Sequence, residues 1–466
     1  MRDLTKGSEF KTILFFAIPM LIGNVFQQLY NTVDSIVVGN FIGKAALAAV
    51  GASFPVIFLL VAMVMGIGMG ASVMISQFFG AKQMDNLKAT IETFYWLSTI
   101  SSLIVTAAGI IFAEPILLLM NTPPEVLTHA KTYMIIFFAG MVFLFGFNGI
   151  GAILRGLGDS KTPLYFLVIA TILNIVLDIV FVTVFNMGVG GVAYATVIAE
   201  AVTFIGGFIV LQKSHPILRL NFRKVGFSPK LFAKMVKIGL PTGVQQMLVA
   251  ASFMALTGIV MKFGTDVQAG FTSAGRIDSF AIMPVMSISM ALSSFTGQNA
   301  GAGRLDRVIR GFRITLFASI AFSLLLGVVF LLWGDALVAM FNREAGVILH
   351  GTHYLHIVGI FYWIVAIMFM VQGVTRGTGD TVIPMLISLL TLWVFRVPLA
   401  HYLSGLIGPD GIWWAIPLGW GFGGVASLVY YLMGRWKKKS VISHPSGMPP
   451  AAPVATAVPE NAADTE

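Results

Sequence analysis

The stretch Arg155-Gly-Leu-Gly-Asp-Ser-Lys-Thr-Pro163 returns 221 residues later as Arg376-Gly-Thr-Gly-Asp-Thr-Val-Ile-Pro384. Other polar, glycine and proline positions recur at the same offset, with Gln77, Gly80, Asp85 and Tyr133 matching Gln298, Gly301, Asp306 and Tyr354. Apolar sequence produces chance matches, but agreement at polar and backbone-directing positions at one offset indicates a duplication. The chain therefore contains two copies of one unit.

The composition places both copies in a lipid bilayer. Of the 466 residues, 57% are hydrophobic and 11% are charged, and the mean hydropathy is +0.89. A soluble domain has too little interior to bury so much apolar surface. The apolar runs each reach the roughly 20 residues that a spanning helix needs, and the short alternating strands of an outer-membrane barrel are absent. The sequence therefore predicts an all-α polytopic membrane protein.

Twelve transmembrane helices are predicted, six in each copy. The predicted spans are 13–38, 46–78, 89–112, 132–154, 162–185, 190–212, 233–261, 270–296, 313–333, 353–375, 382–404 and 412–434. The predicted domains are a cytoplasmic N-terminus (1–12), a first lobe (13–212), a cytoplasmic linker (213–232), a second lobe (233–436) and a disordered cytoplasmic tail (437–466). Because six is even, both copies start on the same face, which predicts two pseudo-symmetric lobes related by an axis along the membrane normal. Transporters rock such lobes about a central cavity, whereas duplication for stability alone is the alternative.

Positive residues lie almost entirely on one side of the predicted bundle. Segments on the side of the N-terminus hold 23 of the 29 Lys and Arg residues, and the opposite segments hold 5. Segments rich in Lys and Arg stay in the cytoplasm, so both termini are predicted to be cytoplasmic, in the inner membrane of a bacterium or archaeon. This distribution explains the net charge of +9 without a nucleic-acid partner. The lack of cysteine excludes disulfides and thiol nucleophiles.

Three carboxylates lie inside predicted spans: Asp34 in the first, Asp178 in the fifth and Glu200 in the sixth. An ionisable group within lipid is costly and therefore marks function. Asn174 precedes Asp178 by one helical turn, and Thr196 precedes Glu200 in the same way, so each pair shares a helix face. At about 1.5 Å per residue, Asp34, Asp178 and Thr196 each lie about 8–10 Å below the outer end of their span. Three helices thus bring oxygen-bearing side chains to one level in the outer half of the bilayer.

Oxygen ligands from several helices suit a small hard cation such as Na⁺. Two neighbouring carboxylates in a low dielectric cannot both ionise cheaply, so the same place could hold a proton instead. Local pairing or snorkelling of each carboxylate is the alternative, chiefly for Glu200. Pro19 removes a backbone hydrogen bond 15 residues before Asp34, which predicts a bend in the first helix. This bend could respond to protonation or be a fixed feature.

The remaining charges inside the spans are fewer. Arg396 in the eleventh span could pair with a carboxylate or contact an anionic substrate, and Asp278 in the eighth span is predicted to lie at its rim. The sequence lacks a phosphate-binding G-x-x-x-x-G-K-[ST] motif, and no metal-ligand set or nucleophile with a base has convincing spacing inside the spans. We therefore expect no enzyme, no catalytic residues, no metal site and no cofactor beyond a coupling ion.

Together with the repeat, these residues resemble the multidrug and toxic compound extrusion (MATE) family, in particular its DinF-like branch, from about residue 10 to 436. Asp34 resembles the first-helix carboxylate of that family, and Pro19 matches its first-helix proline. Asn174, Asp178 and Thr196 match the spacing of its cation site. The seventh and tenth spans lack the carboxylates of the NorM-like branch, so coupling is expected in the N-terminal half. The paired R-G-x-G-D segments and the stretch 188–196 (GVGGVAYAT) add to the match.

The resemblance implies a V-shaped pair of lobes and a secondary active antiporter. Such a protein exports organic, often cationic, drugs or toxic compounds in exchange for H⁺ or Na⁺ by alternating access. The expected cation-coupling residues are Asp34, Asn174, Asp178 and Thr196, with Glu200 as a secondary member. The expected partners are a small organic substrate, the coupling ion and membrane lipid, and the expected state is a monomer. A lipid-linked oligosaccharide flippase of the same superfamily is the alternative, and it would need more cations than Arg396 in the central cavity to hold a pyrophosphate.

Overall fold

The computed structural model describes residues 2–214, 219 and 225–442, and the regular elements of that part are helices. The helices are α1 (Glu9–Ile42), α2 (Lys44–Gly80), α3 (Met84–Leu119), α4 (Pro124–Ala139), α5 (Met141–Gly156), α6 (Lys161–Val184), α7 (Gly188–Lys213), α8 (Pro229–Phe263), α9 (Thr265–Gly301), α10 (Leu305–Ala339), α11 (Ala345–Gly359), α12 (Tyr362–Thr378), α13 (Val382–Ile407) and α14 (Asp410–Leu432). The predicted linker lies partly, and the predicted tail mostly, outside the described residues.

Two pairs of these helices each form one bent span. α4 and α5 meet at an angle of 51°, and α11 and α12 meet at 55°. With each pair counted once, the described residues contain twelve helices that are long and apolar enough to cross a membrane, as predicted. The bends fall at Gly140 and at Phe361, which are 221 residues apart, so the duplication extends to the shape of the fourth span in each copy. α1–α7 form the first lobe and α8–α14 form the second.

At one end of the bundle, each lobe has an apolar core of its own. We call it the far end, because the turns at 120–123, 185–187, 340–344 and 408–409 lie there, away from the chain termini. The far-end core of the first lobe includes Val37, Leu117 and Tyr133. The far-end core of the second lobe includes Phe271 and Trp413, whose rings stack. Neither far-end core takes residues from the other lobe.

At the opposite end, which carries residues 2–9 and 435–442 and which we call the terminal end, the cores join the two lobes. Ile13 and Phe16 of α1 pack with Phe295 and Phe312 of the second lobe. In the reciprocal contact, α8 of the second lobe inserts Met235 and Ile238 among side chains of α2, α3 and α5. The first helix of each lobe therefore crosses to its partner lobe at the terminal end, and the lobes form a V that opens at the far end.

Two equivalent glutamines bond the lobes together at the terminal end. Gln298 of α9 donates through Nε2 to the Gly156 carbonyl of the first lobe (3.1 Å) and accepts the Leu4 N–H (2.9 Å). Its counterpart Gln77 of α2 donates to the Gly377 carbonyl of the second lobe (2.8 Å) and accepts the Val441 N–H (2.7 Å). Gly156 and Gly377 belong to the two R-G-x-G-D segments. The repeated motif therefore supplies the carbonyls that the opposite lobe binds.

The backbones of α2 and α9 touch beside these glutamines. A Cβ atom on Gly80 would lie 1.9 Å from the Gln298 carbonyl oxygen, and one on Gly301 would lie 2.0 Å from the Gln77 carbonyl oxygen. No side chain fits in either place. In lipid, where apolar association gains little, such close backbone contact is a main source of helix pairing. Ser440 and Val441, which the sequence prediction assigns to the disordered tail, complete the contact by donating hydrogen bonds to Gln77.

Candidate functional site

The structure brings the predicted cation-site residues together in the far half of the first lobe. Asp34 comes from α1, Asn174 and Asp178 from α6, and Thr196 from α7. The Asp34 carboxyl lies close to the Asp178 carboxyl and to the Asn174 amide. The Asn174 amide also donates to Thr196 Oγ1 at 3.4 Å. Glu200, one turn after Thr196, lies within electrostatic reach of Asp34.

Most of this cluster is buried, although Asp34 and Glu200 are only partly so, and several of its oxygens have no partner among the described residues. Asn174 and Asp178 have no exposed surface, and Thr196 is nearly fully buried. Both carboxyl oxygens of Asp178, Oδ1 of Asp34 and Oδ1 of Asn174 are buried without a hydrogen bond from any described residue. Buried polar atoms are normally satisfied, and exceptions in a native fold require an explanation. Convergent oxygens without donors are what a proton or a small hard cation would bind.

The backbone widens next to both aspartates. α1 ends in a π turn at Val38–Ile42, four residues after Asp34, and α6 ends in one at Val180–Val184, two residues after Asp178. A π turn lacks the regular i→i−4 hydrogen bonds and often marks a functional site in a helix. The sequence analysis did not predict either turn: the first, VGNFI, lies at the predicted end of its span, and the second, VFVTV, is mainly apolar like its surroundings.

Two tyrosines complete the cluster and were not predicted. Tyr30, one turn before Asp34 on α1, is buried. Its hydroxyl lies close to Thr196 but makes no hydrogen bond to any described residue. Tyr133 of α4 is buried within electrostatic reach of Asp34 and Asp178. The spacing of four residues between Tyr30 and Asp34 was a usable signal. Tyr133 was visible only as a repeated position.

Pro19 lies inside α1, in the terminal half of the helix, and Pro241 lies at the matching position inside α8. α1 continues through Pro19, which is buried next to the residues that pack on the second lobe. The same helix carries Asp34 in its far half, where it packs within the first lobe. One helix therefore connects the carboxylate cluster with the interface between the lobes.

A cavity of about 520 Å³ lies between the lobes and is separate from the cluster. Both lobes line it, with Phe94, Phe145 and Asn148 from the first and Gln245, Met290 and Trp420 from the second. Its volume falls in the range of small-molecule sites. None of Asp34, Asn174, Asp178, Thr196 and Glu200 lines it. An ion in the cluster and a compound in the cavity would therefore influence each other through conformation and not through direct contact.

The cavity also contains charges that sequence reasoning placed elsewhere. Asp278 was predicted to lie at the rim, but it lines the cavity as a partly buried side chain, and its carboxyl accepts hydrogen bonds from Tyr354 (3.3 Å) and from Tyr362. Arg155 and Arg376 were assigned to loops, but they lie in the last turns of α5 and α12 and line the cavity together with Arg396. The predicted spans ended one residue too early to include them.

Comparisons with known proteins agree with this architecture. The sequence profile of the MatE family matches residues 19–180 and 241–402, two segments offset by 222 residues. The chain is 32% identical to the probable multidrug resistance protein YpnP of Bacillus subtilis, over 93% of this chain and 97% of that protein. It is 30% identical to the probable multidrug resistance protein YoeA of the same organism, over 94% and 96%.

A solved structure of similar fold is described as the outward-facing conformation of a multidrug resistance MATE family transporter of the MOP superfamily. The TM-score is 0.85 at 26% identity, covering 93% of this chain and 96% of that one. These comparisons confirm the predicted resemblance and the two-lobed, twelve-helix fold, while the DinF-like branch stays a prediction. The chain belongs to the MatE family, the multidrug and toxic compound extrusion transporters, whose members carry small molecules across membranes and are not enzymes.

Proposed function

We propose that this chain is a multidrug exporter that exchanges organic compounds for H⁺ or Na⁺ across the cytoplasmic membrane of a bacterium or archaeon, as a monomer. The observation that carries this proposal is the buried, partnerless set of oxygens on Asp34, Asp178 and Asn174, separate from the cavity between the lobes. The names of the B. subtilis relatives support export of drugs.

The proposed orientation in the membrane follows from the distribution of positive charge. The terminal end carries most of the Lys and Arg residues, so we assign it to the cytoplasm. The lobes are joined at that end and apart at the far end, so the described conformation faces outward. An ion can then reach Asp34 and Asp178 from outside.

In the proposed cycle, a compound enters the cavity from the cytoplasm or the inner leaflet, and ion binding to the carboxylate cluster favours its release outside. A ligand shifts a conformational equilibrium only by the difference between its affinities for the two states. The affinity for the ion differs between the two states if α1, α6 and α7 bring all the cluster residues together in one state and separate them in the other. α1 transmits that difference, because Asp34 lies in its far half while Ile13 and Phe16 contact the second lobe.

The test is transport by carboxylate variants in vesicles with separately imposed pH and Na⁺ gradients. Asp34→Asn and Asp178→Asn should each abolish ion-driven efflux while leaving the protein folded. Asp335→Asn is the matched control, because Asp335 is an exposed carboxylate of α10 outside the cluster. Ion-driven drug efflux at the parent rate in Asp34→Asn or Asp178→Asn would refute the proposed site, and efflux that only ATP supports would refute antiport.

A further inference from the structure

The charge of the central cavity is the feature that the proposed exchange does not explain. Three arginines line it (Arg155, Arg376 and Arg396) against a single carboxylate, Asp278. All three arginine side chains are partly buried between helices and reach the cavity. Building on the proposed export function, we infer that the compound this cavity binds is an organic anion, an aromatic molecule carrying a phosphate or carboxylate group.

The three guanidinium groups have few partners of opposite charge. In the described part of the chain, none of the ion pairs involves Arg155, Arg376 or Arg396. Arg376 bonds only neutral amide oxygens, those of Gln245 (2.9 Å) and Gln372 (3.1 Å). The Nε atoms of Arg376 and Arg396 are buried with no partner among the described residues. Donors are therefore left over inside the protein.

Asp278 offsets only one of these three positive charges. Its carboxyl is already bound by the hydroxyls of Tyr354 and Tyr362, and it acts on Arg396 only at a distance longer than an ion pair. The acidic residues of the first-lobe cluster do not line the cavity. With every group in its usual charge state, the lining carries two more positive charges than negative ones.

A buried guanidinium without a counter-ion is unfavourable, and removing water from around it raises the cost. A carboxylate or phosphate in the cavity would relieve this cost, because its oxygens match the paired N–H groups of arginine. An organic cation would add to the repulsion. The physical chemistry of the lining therefore favours an anion over the cationic drugs that the family resemblance first indicates.

The rest of the lining describes the remainder of the ligand. Phe94, Phe145, Phe253, Phe369 and Trp420 supply aromatic surface, and Met286, Met290 and Met368 supply adaptable apolar contacts. A cavity of about 520 Å³ accommodates a molecule of several fused rings with a charged group. Because Arg155 and Arg376 are equivalent in the two copies, each lobe contributes one cation near the terminal end.

The experiment compares binding of two dyes to the purified protein in detergent, where no ion gradient is needed. The anionic probe is carboxyfluorescein and the cationic probe is ethidium, both followed by fluorescence anisotropy. The parent should bind carboxyfluorescein more tightly than ethidium. Arg396→Gln should weaken carboxyfluorescein binding about ten- to a hundredfold, as expected for loss of hydrogen bonds from a charged donor. Arg396→Lys, which keeps the positive charge, should weaken carboxyfluorescein binding less than Arg396→Gln does.

Arg343→Gln is the control, because Arg343 is exposed at the far end, and its binding should match the parent. A thermal melt of each variant separates loss of binding from loss of fold. Tighter binding of ethidium, no saturable binding of carboxyfluorescein, or equal carboxyfluorescein affinity in the parent and a folded Arg396→Gln would overturn the inference. If the protein exports ethidium in an ion-driven manner but binds carboxyfluorescein weakly, the proposed export function is retained and the inference of an anionic ligand is refuted.

A second arm distinguishes a soluble anion from a lipid-borne one. A polyprenyl diphosphate in mixed micelles competes with carboxyfluorescein if the arginines hold a lipid headgroup, as a flippase would require. We expect free aromatic anions to compete and the polyprenyl diphosphate not to do so at matched concentration. Competition by the lipid alone would refute the soluble ligand.

Discussion

Gln298 offers a direct way to change which side of the membrane the cavity faces. Its side chain binds Gly156 of the first lobe and Leu4 of the N-terminal segment, and both contacts depend on the lobes being joined at the terminal end. Gln298→Ala removes both hydrogen bonds. Because they exist only when that end is closed, their loss destabilises the outward-facing arrangement relative to the inward-facing one.

The size of the effect follows from the number of bonds. Each net hydrogen bond contributes about 1 kcal/mol, so the variant loses about 2 kcal/mol of preference for the outward-facing state. That corresponds to roughly a thirtyfold rise in the ratio of inward- to outward-facing protein. If about one molecule in a hundred of the parent faces inward, about one in four of the variant should do so.

The assay uses the natural absence of cysteine in the chain. Leu119 and Met340 are equivalent far-end positions of the two lobes, 83% and 78% exposed, so cysteines there accept spin labels without disturbing a core. Distances between the labels report the opening of the V. Gln298→Ala should increase the population with the short far-end distance.

A matched control is available at the same end of the bundle. Gln83 is exposed, and its side chain bonds only Asn86 of its own lobe (2.9 Å), so Gln83→Ala should leave the distances unchanged. Parent-like distances in Gln298→Ala, or an equal shift in both variants, would show that the glutamine bonds do not hold the lobes together.

Two further predictions concern the lobe contact and the ion cluster. Gly80→Ala puts a Cβ 1.9 Å from the backbone of α9 and should also shorten the far-end distance. Gly51→Ala on the same helix, where a Cβ would have no atom within 4 Å, should leave that distance unchanged. Equal distances in the two variants would show that the close contact at Gly80 does not hold the lobes together. Asn174→Ala removes the amide that contacts Asp34 and should raise the half-saturating ion concentration for vesicle transport about tenfold. An unchanged ion dependence in Asn174→Ala, with Asn86→Ala as the surface control, would exclude that amide from the site.

The fold was predictable because lipid imposes simple rules. Span lengths, the Lys and Arg bias and the repeated R-G-x-G-D segments identify twelve helices and two equivalent halves. The bends between α4 and α5 and between α11 and α12 were not predicted. Both halves of each pair are apolar, and hydropathy does not report the direction of a helix.

The carboxylate cluster was predictable because acidic residues inside apolar spans are rare and their depth can be counted along a helix. Asp34, Asp178 and Thr196 meet where that count places them. The charges of the cavity were not predicted. Arg155 and Arg376 lie at span ends, where sequence alone does not distinguish a solvated loop from a helix that continues inside a second lobe.

The surroundings of Asp278 were also not predictable from the sequence. Its position near one end of α9 indicated a rim residue, but Tyr354 and Tyr362 of the bent tenth span cover it. Only the packing of α9 against the bent α11–α12 span within the second lobe reveals this contact. Both the cavity and the ion cluster depend on contacts between spans that are distant in sequence, but only the cluster residues could be located by counting their depth along each span.

We propose that Asp34 and Asp178 hold one small cation whose occupancy determines the direction that the cavity faces. The most direct measurement is the far-end distance between labels at positions 119 and 340 in lipid nanodiscs while pH and Na⁺ are varied independently, in the parent and in Asp178→Asn. We predict that adding H⁺ or Na⁺ changes the distance distribution of the parent and leaves that of the variant fixed. A distribution that does not respond in the parent, or that responds equally in the variant, would contradict the account.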